Sequence, residues 1–349
     1  MAQQTLSSPH LRGALTTARV MQLVLLATVP GIIALTWHFG IGTLLNLAWA
    51  CSFAVALEAA MLRLRKRPIG FYLSDCSALV TAVLLAVALP PAAPWWLIAA
   101  GMLAAIVFAK HLYGGMGYNP FNPAMVGYVV LLISFPVQMT AWVPPRESGA
   151  LLGAMEAIQR SLALAPQAQI DAVTMATPLD LLRQNSALLI EDLWQQNPQF
   201  GQWGGAGWEW VNLAFLAGGL FLLQRRIFTW HAPVAMLAAL GLMAALFYDG
   251  GSSASGGSPL FHWLSGATML GVFFIVTDPV TSAVSTRGKL IYGAAIGVLV
   301  YLIRHWGNYP DAVAFAVLLL NFAAPFIDYY TQPRVYGHGA TRPAEREKS

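Results

Sequence analysis

PAMVGYVVLL, at Pro123–Leu132, and PDAVAFAVLL, at Pro310–Leu319, are identical at five of ten positions, including the leading proline and the closing pair of leucines. The two copies are offset by 187 residues. Upstream, Pro90 and Pro279 also end apolar segments, with an offset of 189 residues. These matches agree on nearly one register, so the sequence predicts an internal repeat.

The chain around this repeat is too apolar for an ordinary soluble protein, with 57% hydrophobic and only 10% charged residues among 349. A membrane-spanning helix needs about 20 mostly apolar residues. Ten segments of this kind are predicted, some of them short and therefore open to tilting or interruption. They are Met21–Trp37, Ile41–Leu62, Cys76–Leu89, Trp95–Ala109, Ala124–Trp142, Trp208–Leu223, His231–Phe247, Phe261–Thr277, Leu290–Ile303 and Ala312–Ile327.

Five predicted spans separate the two copies of the repeat, which is an odd number. The second copy therefore enters the membrane from the opposite face, as in transporters built from inverted repeats. The predicted fold is an all-α polytopic membrane protein with about ten transmembrane helices in two inverted five-helix repeats. This arrangement resembles that of urea transporters.

The distribution of basic residues predicts the orientation, because loops rich in Lys and Arg stay in the cytoplasm. Fifteen of the 19 Lys and Arg residues fall on the side that holds both termini. This asymmetry accounts for the net charge of +4, so binding to nucleic acid is not indicated. The predicted division is a cytoplasmic N-terminal segment (1–20), a first repeat (21–142), a periplasmic loop subdomain (143–207), a second repeat (208–327) and a cytoplasmic tail (328–349).

Two proline-containing stretches are candidate helix breaks. NPFNP, at Asn119–Pro123, and TDPVT, at Thr277–Thr281, lie at the ends of predicted spans. Interrupted helices in inverted repeats often border a binding site between the halves, although prolines also simply end helices. Ionisable residues such as Glu58 and Lys110 are functional candidates if they lie deep in the bilayer, where a charge is costly. Most of them lie at span ends, where solvated or snorkelling side chains are the commoner outcome.

Within the loop, Thr177 is followed by Pro178 and by Asp180. A hydroxyl at the N-cap, a proline at the first helical position and an acid in the first turn predict the start of a helix. A helix N-terminus also favours a phosphate, because unpaired N–H groups and the positive end of the dipole point there. Local chemistry alone leaves a simple cap and a ligand site both open. The predicted buried face of this helix consists of Leu182, Leu189 and Leu193.

A longer pattern ends at the same threonine. Asp171, Thr174, Ala176 and Thr177 match the order Asp, two variable residues, Ser or Thr, a variable residue, Ala and Thr, by which flavin transferases recognise the acceptor of a covalent FMN. From about Ser8 to His338 the chain resembles the D-subunit family of the Rnf (also Rsx) electron transport complex, with relatedness to the B subunit of the sodium-pumping NADH:quinone oxidoreductase. The supporting segments are SSPH, KHLYGGMGYNPFNPAMVGYVVLLISFPVQMTAW, LSGATMLGVFFIVTDPVT and YPDAVAFAVLLLNFAAPFIDYYTQPRVYGH.

The resemblance implies a membrane subunit of a redox-driven ion translocase that links ferredoxin and NAD in the inner membrane of a bacterium. It implies that the phosphate of FMN is esterified to the Thr177 hydroxyl, having been supplied from FAD by a Mg-dependent flavin transferase. It also implies a noncovalent riboflavin and five partner subunits, A, B, C, E and G, of which G is the expected electron-exchange partner. The sequence contains no glycine fingerprint for a nicotinamide cofactor, so no complete active site and no metal site are expected in this chain alone.

A second stretch, SGAT at Ser265–Thr268, spells the commonest form of the end of the motif. Six residues before Thr268 stands His262 in place of the aspartate, and the stretch lies inside an apolar segment. Thr268 is therefore predicted to be a packing residue. In the loop motif, Met175 stands where Gly is commonest, and this variable position is expected to tolerate the change.

Two other functions remain open from the sequence. The B subunit of the sodium-pumping NADH:quinone oxidoreductase shares the covalent flavin and differs in its partners. A urea-transporter-like solute channel shares the predicted five-plus-five arrangement but has no need for a flavin acceptor in its loop.

Overall fold

The computed structural model describes residues 16–148, 151–164, 174–185, 187–253, 255–307, 309 and 312–331. In these residues the regular structure is helical, apart from one isolated bridge between Phe200 and Gly205. The helices are α1 (Thr17–Phe39), α2 (Gly42–Leu64), α3 (Ile69–Leu73), α4 (Ser77–Ala88), α5 (Trp95–Met102), α6 (Pro123–Ser134), α7 (Pro136–Thr140), α8 (Ala154–Ser161), α9 (Pro178–Gln184), α10 (Ile190–Gln196), α11 (Trp208–Gln224), α12 (His231–Leu246), α13 (Pro259–Leu264), α14 (Thr268–Leu270), α15 (Thr286–Trp306) and α16 (Val313–Thr331). Helix α5 continues as a π-helix over Leu103–His111, and α14 continues as one over Gly271–Ile275.

Each of the ten predicted apolar segments contains helix. Four of these helices, α1, α2, α15 and α16, are long and apolar enough to cross a membrane. Shorter apolar helices accompany them at Ser77–Ala88, Trp95–His111, Pro123–Ser134 and His231–Leu246. The protein is a multi-pass membrane protein with an all-helical fold.

Two buried asparagines hold the chain where helices are interrupted. Asn46 on α2 donates to the Pro90 carbonyl at 2.9 Å and accepts from the Ala93 N–H at 3.1 Å. Asn212 on α11 donates to the Gly266 carbonyl at 2.9 Å and accepts from the Met269 N–H at 3.0 Å. A backbone that leaves a helix within an apolar environment needs such partners, because water is not there to supply them.

The first helix of one predicted repeat contacts the first helix of the other, and the same holds for the helices that begin the fifth span of each repeat. Helix α1 packs along α11, and α6 packs against α16. The approach of α1 and α11 is close enough that a Cβ atom at Gly218 would collide with the carbonyl oxygen of Ala27. Small residues permit this kind of close helix packing in membranes.

The loop between α7 and α11 is attached through two apolar clusters. Leu152 and Ala157, together with Val143 at the start of the loop, pack against Ala92 of the first half of the chain. Leu182 and Leu193 pack with Phe261 of the second half. We call the side of the protein on which this loop lies the loop face, and the other side the opposite face.

The helix predicted from Thr177 is shorter than expected, because the Asn185 side chain turns the chain. Its amide donates to the Leu188 carbonyl at 2.7 Å and accepts from the Leu188 N–H at 3.1 Å. The chain therefore forms two short helices, α9 and α10. Leu182 and Leu193 are buried as predicted, but Leu189 is 55% exposed, so its assignment to the buried face was wrong.

Candidate functional site

Thr177 lies at the start of α9, as its sequence context predicts. It is the N-cap residue with an extended backbone, and its Oγ1 accepts from the Asp180 N–H at 3.3 Å. The same hydroxyl donates to the Asp180 carboxylate oxygen Oδ2 at 2.7 Å. Thr177 is half-buried, and both hydrogen bonds of its hydroxyl are to Asp180.

The other motif residues differ in their surroundings. Asp171 lies outside the described residues. Ala176 is exposed and Thr174 is half-buried. Met175, which replaces the commoner glycine, donates its N–H to the Trp142 carbonyl at 3.0 Å. The backbone of the motif is thereby attached to the end of the first half of the chain.

Thr174 lines a cavity on the loop face together with the buried side chain of Arg160. Burial lowers the pKa of the Arg160 guanidinium. Arg160 comes from α8, so this cavity lies between α8 and the motif.

Thr177 also lines a separate, apolar cavity between the two halves of the chain, which we call the loop-face cavity. Its walls include Tyr128 of α6 and Ala314 of α16. Trp142 and Trp208 also line it, with their ring centroids 4.8 Å apart. The enclosed volume is about 60 Å³, less than the roughly 300–1,000 Å³ of typical ligand pockets. A flat aromatic ligand therefore enters it only if lining side chains move.

Thr268, in the second SGAT stretch, has the opposite surroundings. It is 0% exposed, and its hydroxyl donates to the carbonyls of His262 at 2.7 Å and Ser265 at 3.0 Å. The guanidinium of Arg304 donates to the same hydroxyl at 3.0 Å. The prediction that Thr268 is a packing residue is confirmed.

The two candidate helix breaks meet on the opposite face. Asn122, which caps α6, donates to the Asp278 carboxylate at 3.2 Å. Thr281 donates to the same oxygen at 3.1 Å. Asn122 and Asp278 border a cavity of about 390 Å³ between the halves, which we call the opposite cavity. Its lining also includes Lys110 and Phe273. This volume lies within the usual range for a small-molecule site.

Lys110 and Glu58 form a buried ion pair beside this cavity. The Lys110 ammonium is 2.9 Å from both carboxylate oxygens of Glu58 and donates to Ser77 at 2.9 Å. His111 lies 3.0 Å from Glu58. The expectation that these charged side chains are solvated or snorkelling was wrong, because Glu58 and Lys110 are each 3% exposed. The two residues are separated by 52 positions along the chain, so the pairing carries no local sequence signal.

The fold is that of a multi-pass helical membrane protein with a half-buried threonine hydroxyl beside an apolar cavity between its halves. Comparison with known proteins identifies its family: residues 4–337 match the model of the NQR2, RnfD, RnfE family. The chain belongs to this family.

Curated relatives extend the match over nearly the whole chain. The chain is 59% identical over 350 residues to the D subunit of the ion-translocating oxidoreductase complex of Cellvibrio japonicus, covering 99% of this chain and 98% of the relative. It is 62% identical to the D subunit of the same complex from Ectopseudomonas mendocina, covering 97% of each chain. With the D subunit from Vibrio cholerae the identity is 54%, over 95% of this chain and 98% of the relative.

Proposed function

We propose that this protein is a membrane subunit of an ion-translocating ferredoxin:NAD oxidoreductase complex and carries electrons through an FMN esterified to Thr177. One observation carries the proposal. In a chain up to 62% identical to D subunits of ion-translocating oxidoreductase complexes, the last residue of the transferase motif presents a hydroxyl beside a cavity between the two halves. FMN supplies reversible electron transfer at this position, while the protein binds it and sets its surroundings.

The residues at the site suit such a ligand by their chemistry. The Thr177 hydroxyl supplies the oxygen for the phosphoester. Trp142 and Trp208 offer aromatic surfaces at the cavity, and stacking on such rings is a common way to hold a flat heterocycle. Arg183 lies on the next turn of α9, where its positive charge favours a nearby phosphodiester.

The opposite cavity is the site we propose for a noncovalent riboflavin. It combines apolar walls, including Phe273, with hydrogen-bonding groups on Asn122 and Lys110. Thr81→Trp would fill it, since Thr81 is a buried lining residue. The variant is expected to lose flavin that acid extracts from the purified protein while it keeps the covalent flavin. Unchanged extractable flavin would place the riboflavin elsewhere.

The finer topology belongs to the same proposal: ten spans in two inverted five-helix repeats, with termini in the cytoplasm and the loop in the periplasm of the inner membrane. The contacts of α1 with α11 and of α6 with α16 support it, because an inverted repeat pairs equivalent helices. In a chain whose two cysteines are changed to Ser, we expect an impermeant maleimide to label Gln202→Cys in intact cells and Lys66→Cys only after lysis. The reverse pattern would overturn the orientation.

Five partner subunits, A, B, C, E and G, are proposed to complete the electron path. NAD and ferredoxin bind to other subunits, and the G subunit, with a covalent FMN of its own, exchanges electrons with the flavin at Thr177. Copurification with a subunit that carries ferredoxin-like iron–sulfur clusters tests this assignment. Recovery in a quinone-reducing assembly would instead favour the role of the B subunit of the sodium pump.

The direct test of the FMN site is in-gel flavin fluorescence after denaturing electrophoresis of the protein coexpressed with its flavin transferase. Wild type and Thr268→Ala are expected to fluoresce, and Thr177→Ala is expected to be dark. A peptide mass map is expected to locate the FMN adduct on the peptide that contains Thr177. A fluorescent Thr177→Ala band would refute the site, and a dark wild-type band would favour the solute-channel alternative.

A further inference from the structure

The acceptor hydroxyl contacts a carboxylate that lies outside the transferase motif. Thr177 Oγ1 donates to Asp180 Oδ2 at 2.7 Å, a short distance typical of a hydrogen bond to an ionised acceptor. The Asp180 side chain is 13% exposed, so bulk water competes little for this bond. The motif ends at Thr177, and the local sequence pattern indicates for Asp180 only a role in starting the helix.

The second oxygen of this carboxylate is held by a third residue. Asp180 Oδ1 lies 3.5 Å from the Arg183 guanidinium. Arg183 also donates to the Gly307 carbonyl, at 3.4 Å, which attaches it to the end of α15. The carboxylate therefore presents one oxygen to the hydroxyl while the guanidinium lies at ion-pair distance from the other. A nucleophile, a base and a group that orients the base form the arrangement by which proteins activate hydroxyl groups.

A helix cap alone does not need this arrangement. Capping requires the hydroxyl to accept from a backbone N–H, which it does from Asp180 at 3.3 Å. The additional bond, in which the hydroxyl donates its proton to the carboxylate, is not required for that cap. It does align the proton with a base and leaves an oxygen lone pair for attack on an electrophile.

We propose that Asp180 is the general base that activates Thr177 for its own flavinylation, with Arg183 as a positioning residue. This inference rests on the proposed attachment of FMN to Thr177. Thr177 Oγ1 attacks the FMN phosphorus of FAD bound to the flavin transferase. The new Oγ1–P bond forms as the P–O bond to the adenylate breaks, and AMP leaves with the bonding electron pair. The hydroxyl proton passes to Asp180 Oδ2 and then to water, and no group is oxidised or reduced.

The test is a time course of covalent flavin formation with purified full-length protein, FAD, Mg²⁺ and the transferase, read by in-gel fluorescence. Asp180→Asn keeps the size and a hydrogen-bond acceptor but removes the base. It is expected to lower the initial rate about 100-fold or more, the usual contribution of general base catalysis. Its rate is expected to rise with pH more steeply than that of wild type, because hydroxide must then take the proton.

The matched control is Glu156→Gln. Glu156 is another carboxylate in the loop, and it caps α8 by accepting from the Gly153 N–H at 3.1 Å. Its removal changes the charge by the same amount at a helix start that does not contact Thr177, so a wild-type rate is expected. Asp180→Glu, which restores a base on a longer side chain, is expected to recover part of the rate.

The outcomes separate this inference from the function on which it rests. If wild type acquires flavin on the Thr177 peptide and Asp180→Asn does so at the same rate and with the same pH dependence, the role of Asp180 is refuted and the FMN site stands. An equal loss in Glu156→Gln would also refute it, because general disturbance of the loop would then explain the effect. If wild type never acquires flavin at Thr177, the proposed function fails first.

Discussion

Thr177 and Thr268 each end a short Ser- or Thr-containing stretch that resembles a flavin acceptor, and each stands at the start of a helix. The two hydroxyls differ in their burial and in their hydrogen-bond partners. The Thr177 hydroxyl is half-buried and faces a carboxylate. The Thr268 hydroxyl is sealed from solvent and joins two carbonyls to a guanidinium. The last four residues of the motif alone favour Thr268, while the leading aspartate, access to solvent and a neighbouring carboxylate favour Thr177.

The largest expected effect comes from completing the motif at the buried threonine. His262→Asp gives the stretch that ends at Thr268 the full spelling, and Thr177→Ala removes the competing acceptor. We expect the double variant to carry no covalent flavin, because the transferase cannot reach a side chain that is 0% exposed.

A synthetic peptide with the completed stretch of residues 262–268 provides the control for this double variant. It is expected to be flavinylated slowly, because the motif is then accessible but no carboxylate stands three residues after the threonine. Size-exclusion chromatography checks that the double variant remains folded. A fluorescent band in the folded double variant would mean that burial does not decide between the two threonines.

Arg304 gives the next largest effect, on stability. It donates to the carbonyls of His262 at 3.0 Å and Ser265 at 3.4 Å, and to the Thr268 hydroxyl. Buried hydrogen bonds from a charged donor contribute about 1.5–3 kcal/mol each. Loss of these hydrogen bonds in Arg304→Ala is therefore expected to produce a measurable fall in the thermal unfolding midpoint in detergent. Arg183→Ala removes only a 3.5 Å ion pair and one 3.4 Å hydrogen bond to Gly307, so it is expected to lower the midpoint less than Arg304→Ala does. Equal losses would contradict this contrast.

Thr268→Val separates a structural role from a chemical one. The substitution keeps the shape of the side chain but removes a buried hydroxyl, which is expected to cost about 1–3 kcal/mol. The amount of covalent flavin per folded protein is expected to stay at the wild-type level. Thr177→Val is the counterpart, because it should abolish the flavin and cost about 1 kcal/mol for the lost cap. A loss of flavin in folded Thr268→Val would break the comparison.

The sequence predicted the helical segments and the start of α9 because those features depend on local patterns. Apolar runs locate the helices, and Thr177 with Pro178 locates the cap. The contact between Asn122 and Asp278 joins residues 156 positions apart, so only the tertiary fold brings it about. The same is true of the two asparagines that hold the interrupted helices, since nothing near Asn46 or Asn212 in sequence indicates their partners.

The functional site divides in the same way. The proposed acceptor, Thr177, follows from a sequence motif, whereas the carboxylate that faces it is seen only in the structure. Asp180 has an ordinary role as the acid of a first helical turn, and that role hides the hydrogen bond it receives from Thr177. The local sequence therefore predicts the helix-start role of Asp180 but not its contact with the Thr177 hydroxyl.

The smallest expected effect concerns Met175, which replaces the commoner glycine of the motif. Its hydrogen bond to the Trp142 carbonyl is donated by the backbone N–H, and glycine would keep that group. Glycine adds backbone freedom worth about 1 kcal/mol, so Met175→Gly is expected to change the rate of flavin incorporation by less than about fivefold.

The contrasting variant is Ala176→Leu, at an exposed position that the motif restricts to a small residue. It is expected to slow incorporation more than Met175→Gly does, because the transferase must fit around Ala176. Equal effects of the two variants would mean that the fold around Thr177, and not the spelling of the motif, determines how fast the acceptor is used.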